Sequence, residues 1–358
     1  MQKAYLVLEN GKVFEGASFG CTGETTGEIV FNTGMVGYGE TLTDPCYYGQ
    51  MVVQTFPLIG NYGIISEDVA DKKSYVKGYI VRNYCDAPSN FRCDGLIDDY
   101  LKKQGVIGIC GIDTRELNKI IRDAGTMNGK IVTDISDLDK IIAELKSYKN
   151  IGGVAATVSA NEAVCTQPEG KYNVVVYNFG AMSNTECELK NRDCKVTVVP
   201  YNASAQEVLA LKPDAVVISD GAGDPAENTD AAAQIKAIVD AGIPVFGISL
   251  GHQRLALAMG GTTVKHKYGH RGANQPVKYI EEGRVLITSQ NHGYTVETDT
   301  LPSEAKVSFV NVNDGTCEGV EYTGKKAFSV QFRPSTCSSP HSTGFLFDKL
   351  IKMIEEEK

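Results

Sequence analysis

Beyond Lys171 the chain alternates short apolar runs with stretches whose apolar residues recur at helical spacing. Residues 172–177, 195–199, 214–219 and 243–248 read as strands, the last an apolar run of the kind expected of a strand buried on both faces. Between them, Ser183-Asn184-Thr185-Glu186 and Ser204-Ala205-Gln206-Glu207 have the form of capping boxes that open helices, the second running to Leu211. A further helix is predicted near 227–241. Such alternation predicts a parallel sheet wrapped by helices on both faces. The rhythm then changes to strands at 277–280, 285–288, 307–312, 319–322 and 327–332, with a closing helix over 343–356.

The first third carries a different pattern. Residues 4–8, 13–19 and 28–31 are β-prone runs separated by Asn10-Gly11 and Thr22-Gly23 turns. The glycine-punctuated segment 31–40 and Thr43-Asp44-Pro45-Cys46 predict closely folded loops and no helix. Helices are predicted at 96–103, 112–123 and 138–147. Asp113-Thr114-Arg115 reads as a helix cap with a packing or interface role, in preference to a catalytic carboxylate and arginine clamp. Periodicity disappears over 152–171, which reads as a linker between an N-terminal domain, 1–151, and a C-terminal one, 172–358.

One stretch concentrates chemistry. Gly247-Ile248-Ser249-Leu250-Gly251 joins the strand at 243–248 to a helix beginning near His252, and has the G-x-S-x-G form of a sharp elbow. Such a turn lifts its central side chain out of the sheet, and the backbone N–H groups that follow favour negative charge. Two more loops leave the same predicted sheet edge, Asp220-Gly221-Ala222-Gly223-Asp224-Pro225 and Gln331-Phe332-Arg333-Pro334-Ser335, where open α/β sheets bind ligands.

Composition narrows the field. The net charge of −9, with no Lys/Arg cluster, argues against a nucleic-acid or anionic-membrane surface. No apolar stretch approaches bilayer length, and Glu9-Asn10-Gly11 interrupts the N-terminus too early for a signal peptide, so a cytoplasmic location is expected. The ten cysteines form no C-x-x-C pair, which predicts mostly buried thiols and no disulfide or zinc framework. His252 and His292 have no partner at i+4 and read as structural or pocket-lining; no metal is predicted.

The residues now in view carry a resemblance. Phe31-Asn32-Thr33, Gly37-Tyr38, Leu42-Thr43-Asp44-Pro45, Gly60-Asn61-Tyr62-Gly63 and Ile112-Asp113-Thr114-Arg115 match one family in the first half. Asp220 to Pro225, Gly247 to Gln253, Gly269-His270-Arg271-Gly272-Ala273-Asn274 and Gln290-Asn291-His292-Gly293-Tyr294 match it in the second. Over essentially its whole length the chain resembles small subunits of carbamoyl-phosphate synthase, which are class I (triad-type) glutamine amidotransferases. The resemblance implies a β-rich α+β N-terminal domain, then a flavodoxin-like amidotransferase domain whose mixed sheet is mostly parallel. It also implies oxyanion-hole N–H groups at Gly221 and Leu250. Its glutamine pocket would comprise Gly221, Gly223, Leu250, Gln253, Asn291, Gly293 and Tyr294, with Cys46 reaching in from the N-terminal domain where relatives usually have serine. The implied partner is a large subunit that binds ATP and metal and makes carbamoyl phosphate, for pyrimidines or arginine, from bicarbonate and ammonia. No cofactor is implied for this chain.

The departures from the family pattern matter most. Glutamine-using relatives carry cysteine at the elbow and His-Pro-Glu after the last strand; here the three positions are Ser249, Arg333 and Ser335. A serine hydroxyl needs a base, and a guanidinium, always protonated and without an acceptor, is not one. Ser335 offers no carboxylate to orient an imidazole. The sequence therefore predicts a chain that no longer hydrolyses glutamine and acts as a structural or regulatory partner. A pocket that binds glutamine or a related carboxylate without turnover is the alternative. Two active readings are also carried: a serine hydrolase using Ser249 with a downstream histidine, and a glutaminase with a relocated pair drawn from Cys337, Cys46 and His341.

Overall fold

The computed structural model describes residues 2–69, 73–180, 184–227, 229–334 and 343–356. They form two compact units, Met1–Ile151 and Gly152–Lys358. No helix among the described residues is long and apolar enough to cross a membrane.

The first unit is built on strands β1 (Lys3–Leu8), β2 (Val13–Gly20), β3 (Thr25–Asn32), β4 (Gln50–Gln54), β5 (Leu58–Ile59), β6 (Gly78–Ile80), β7 (Asn83–Tyr84), β8 (Ile107–Cys110) and β9 (Met127–Val132). Among the described residues β1-β2-β8-β6-β4-β3-β9 close into a barrel, which removes exposed edges, while β5 and β7 pair separately. The helices predicted in this half form at Ile97–Gln104, Thr114–Ala124 and Leu138–Ser147. Asp113 is the cap expected of it: its carboxylate accepts the Glu116 N–H at 3.0 Å.

The glycine-rich segment departs from expectation, because a helix spans Tyr38–Thr43. Its first N–H groups are satisfied from a distance: the Tyr62 hydroxyl accepts from Gly37 and Tyr38 at 3.0 and 3.2 Å. The Tyr38 and Tyr62 rings also stack, 4.1 Å apart. A tertiary cap of this kind overrides weak local propensity.

The second unit is organised by β10 (Val164–Gln167), β11 (Tyr172–Phe179), β12 (Cys194–Pro200), β13 (Ala215–Gly221), β14 (Val245–Ile248), β15 (Thr263–Tyr279), β16 (Val285–Val296), β17 (Ala305–Asn311), β18 (Cys317–Tyr322) and β19 (Ala327–Val330). Among the described residues these form one sheet ordered β10-β12-β11-β13-β14-β19-β18-β17-β15-β16. The run β12-β11-β13-β14-β19 is parallel, with antiparallel strands on both flanks. Alternate residues of β11 feed opposite cores, Val174 and Val176 one and Val175 and Tyr177 the other, as a sheet covered on both faces requires. The 204–207 capping box is present in full, opening Ala205–Ala210. The one read at Ser183 lies outside the described residues, ahead of a helix at Asn184–Lys190.

Residues 152–171, read above as a linker, carry a helix, Val154–Val158, and β10, which pairs antiparallel with β12. They are built into the second unit because β10 covers the edge of β12, a role that their polar composition does not announce. The β15–β16 hairpin is also far longer than the short strands predicted there. No disulfide forms among the described residues; Cys46, Cys110, Cys194 and Cys317 are buried, whereas Cys165 and Cys187 are exposed.

Candidate active site

Ser249 stands between β14 and the helix Leu250–Ala258, with φ 53° and ψ −107°. A residue with a side chain pays for that conformation, so the surroundings must hold it. Its N–H donates to Val330 O at 2.8 Å, and its carbonyl accepts from His252 N and Gln253 N at 3.0 and 3.2 Å. The flanking glycines are a steric necessity. A Cβ on Gly251 would lie 2.1 Å from Ile218 O, and one on Gly247 would lie 2.7 Å from Gly251 O. The elbow thus packs against β13 as closely as two backbones allow.

Several of the pocket positions expected from the resemblance converge on this elbow. A Cβ on Gly221, at the end of β13, would stand 2.9 Å from Leu250 Cδ2. Gln253 Nε2 donates to Tyr294 O at 2.7 Å and to Gln331 Oε1 at 2.9 Å, tying the elbow helix to β16 and to the exit of β19. Asn291 and Gly293 precede Tyr294 in β16, with Asn291 opposite Arg271. Gly223 lies farther out, at φ 96° and exposed, against Val154. Cys46 belongs to the first unit, where it is buried in the turn Pro45–Tyr47 and its N–H donates to Asp44 Oδ1 at 2.9 Å.

At Arg333, one of the three positions the resemblance marks, the structure shows an ion pair. Arg333 follows β19, and its N–H donates to Ser289 O at 2.9 Å. Its guanidinium Nε lies 2.9 Å from Asp220 Oδ2, with side-chain exposures of 8% and 3%. Ser335, Cys337 and His341 lie outside the described residues. Asp220 is the residue that sequence reasoning missed: it was placed only at the start of a loop at the ligand-binding edge of the sheet, yet Asp220, Gly221 and Ala222 are buried. The available signal was an acid at the end of an apolar strand, but only the strand order reveals the cation that faces it.

The four described histidines are engaged elsewhere. His252 Nδ1 lies 2.8 Å from Ser329 Oγ, and complete burial pulls its pKa down to about 3, so it is neutral. His292 lies between Tyr294 O and Gln290 Oε1, at 2.8 and 2.9 Å, and burial pushes its pKa well below the usual imidazole range. His270 Nε2 meets Asp314 Oδ2 at 2.8 Å, and its Nδ1 faces the fully buried Glu318 at 3.5 Å. Burial pulls this imidazole down, but bonding to the two carboxylates and their charges outweigh it and raise its pKa to about 9. Burial pushes Asp314 upward, yet hydrogen bonds from His266, His270 and Thr316 leave it well below the carboxylate range.

His266, His270 and Asp314, like His270, His292 and Glu318, lie close enough together to share a metal ion. The hydrogen bonding favours ion-paired support for the hairpin instead. His266 Nδ1 accepts the Gly269 N–H at 3.1 Å, so a neutral His266 carries its proton on Nε2, aimed at Asp314 3.3 Å away, with no lone pair left there for a metal.

Comparison with known proteins agrees across both units. The family described as carbamoyl-phosphate synthase small chain, CPSase domain, matches residues 6–131, and glutamine amidotransferase class-I matches residues 175–353. A carbamoyl phosphate synthase small chain from Clostridium perfringens is 49% identical, covering 98% of this chain and 99% of that relative. A carbamoyl phosphate synthase pyrimidine-specific small chain from Bacillus subtilis is 44% identical, covering 99% of this chain and 96% of that relative.

Proposed function

The chain belongs to the carbamoyl-phosphate synthase small-chain family, and from that premise we propose that it is a partner subunit that has lost glutamine hydrolysis. The observation that carries this reading is Arg333, ion-paired with Asp220 after the last parallel strand. Acyl transfer from glutamine needs a nucleophile whose proton is taken by a base held beside it. Ser249 occupies the strained elbow, Gly221 and Leu250 supply the N–H groups of an oxyanion hole, and Gln253, Asn291, Gly293 and Tyr294 line what was the glutamine pocket. The proton has nowhere to go. Arg333 has no acceptor, and no described imidazole contacts Ser249. In a comparable triad, removing the nucleophile or base alone costs on the order of 10⁶ in turnover.

The subunit then supports a large subunit that binds ATP and metal and draws on free ammonia, in the cytoplasm. Ammonia release from glutamine, measured with and without the large subunit, tests this: a rate at the uncatalysed background is expected.

A second reading keeps the pocket as a ligand sensor for glutamine or a related carboxylate. It is favoured by the intact Gln253–Tyr294–Gln331 bonding, which still braces the pocket wall. Arg333 is weakened as an anion contact, because Asp220 already balances its charge. Calorimetry of the full chain with glutamine and glutamate decides: heat on either addition supports the sensor, and none on both discards it.

A further inference from the structure

In the sheet, β13 and β19 flank β14 on opposite sides, each pairing with it in parallel. Neighbouring strands lie about 4.8 Å apart, so β13 and β19 stand roughly 10 Å from one another. Asp220 is on β13, Arg333 follows β19, and β14 runs between them into Ser249. Their ion pair therefore crosses the carboxyl end of the elbow strand. Only a long side chain closes such a gap, and arginine adds a rigid, weakly hydrated cation suited to a buried carboxylate. An imidazole at position 333 replaces this permanent cation with a group that must be neutral to act as a base, and the neutral form leaves Asp220, 3% exposed, without that charge.

We propose that Asp220 is a further determinant of the inactive state: the Asp220–Arg333 pair is a strut across the elbow strand, and the site returns to glutamine hydrolysis only when position 220 is made neutral as well. This rests on the reading that 249, 333 and 335 are the triad positions. The physical cause is electrostatic. Asp220 immediately precedes Gly221, whose N–H would help hold an oxyanion, and a buried carboxylate stripped of its cation opposes negative charge there and on a nearby thiolate. Asp220 contacts no substrate in this account; it acts as a positioning residue through Arg333 and the Gly221 loop.

The test compares the full-length chain with two variants, Ser249→Cys/Arg333→His/Ser335→Glu and the same triple carrying Asp220→Asn. Each is assayed for glutamine turnover and thermal midpoint. The pH profile of iodoacetamide labelling at position 249 is read by peptide mass spectrometry. With Asp220→Asn added, turnover should rise at least tenfold over the triple variant. The labelling profile should shift to lower pH by about one unit and the thermal midpoint should increase. Should the triple variant fail to fold, recovery of folded protein by Asp220→Asn supports the strut, and no recovery overturns it. Should neither variant turn over glutamine, the labelling profile decides in the same way. Indistinguishable turnover and labelling in the two variants overturn the role of Asp220 while leaving the loss of hydrolysis intact. Turnover by the unaltered chain would instead overturn the reading beneath it.

Discussion

Arg333 Nε lies 2.9 Å from Asp220 Oδ2 across the end of the elbow strand, with both side chains almost completely buried. Burying two charges is favourable only while each has the other, so the pair adds little net stability yet is costly to break. Arg333→Ala or Asp220→Ala alone should destabilise the second unit by about 3–5 kcal/mol. Replacing both with apolar residues of similar volume should cost much less. Urea denaturation of the three variants checks this through the coupling energy, which should be large and favourable.

Restoring the nucleophile by itself should not restore chemistry. With Ser249→Cys the thiol still lacks a base, because Arg333 remains protonated and bound to Asp220. Steady-state ammonia release by this variant should stay within about tenfold of the unaltered chain, since a missing base alone keeps turnover depressed on the order of 10⁶.

The elbow glycines should be intolerant of any side chain. Gly251→Ala places a methyl 2.1 Å from Ile218 O, a backbone atom that moves only with β13. The expected loss is about 2–4 kcal/mol, within the range for steric misfit at a close backbone approach. Gly260→Ala is the control for the helix end: no heavy atom lies within 4 Å of its Cβ position, but φ is 93°. Its cost should therefore be about 1 kcal/mol, from backbone strain alone. Thermal melts of the two variants rank them.

Stability should peak near pH 6.5. His270 rises from 6.5 to about 9 on folding, so its contribution is complete below 6.5 and disappears as pH climbs through 9. His252 falls from 6.5 to about 3, so the unfolded chain takes up the proton first, and stability drops as pH falls from 6.5 toward 3. Asp314, held low by its partners, adds a further loss on acidification below the ordinary carboxylate range. A pH series of melting temperatures checks both limbs. His270→Gln should flatten the alkaline limb, worth on the order of 3 kcal/mol, and leave the acid decline from His252 in place.

Much of this architecture is legible in the residues, and what is not has a physical explanation. The elbow was readable because its glycines answer a local steric demand, and the parallel strands because burial on both faces leaves an unbroken apolar run. The helix Leu138–Ser147 was readable from its amphipathic spacing. The helix Tyr38–Thr43 was hidden, since the cap that stabilises it is the Tyr62 hydroxyl, remote in sequence. The β15–β16 hairpin was hidden over much of its length because its outer residues are largely exposed or half-buried, whereas the inner ones bury polar groups such as His270, Gln290 and His292. Neither face of that ribbon gives the apolar alternation that marks a strand. Asp220 was hidden because an ion pair across two strand spacings depends on strand order, which no local pattern encodes.

The most direct test is ammonia release from glutamine by the purified full-length chain, alone and with its large subunit, alongside bicarbonate- and ATP-dependent carbamoyl phosphate synthesis from ammonium. Synthesis from ammonium is expected, with no glutamine hydrolysis above background in either setting. Glutamine turnover at the 1–10³ s⁻¹ typical of working enzymes would contradict the loss of hydrolysis.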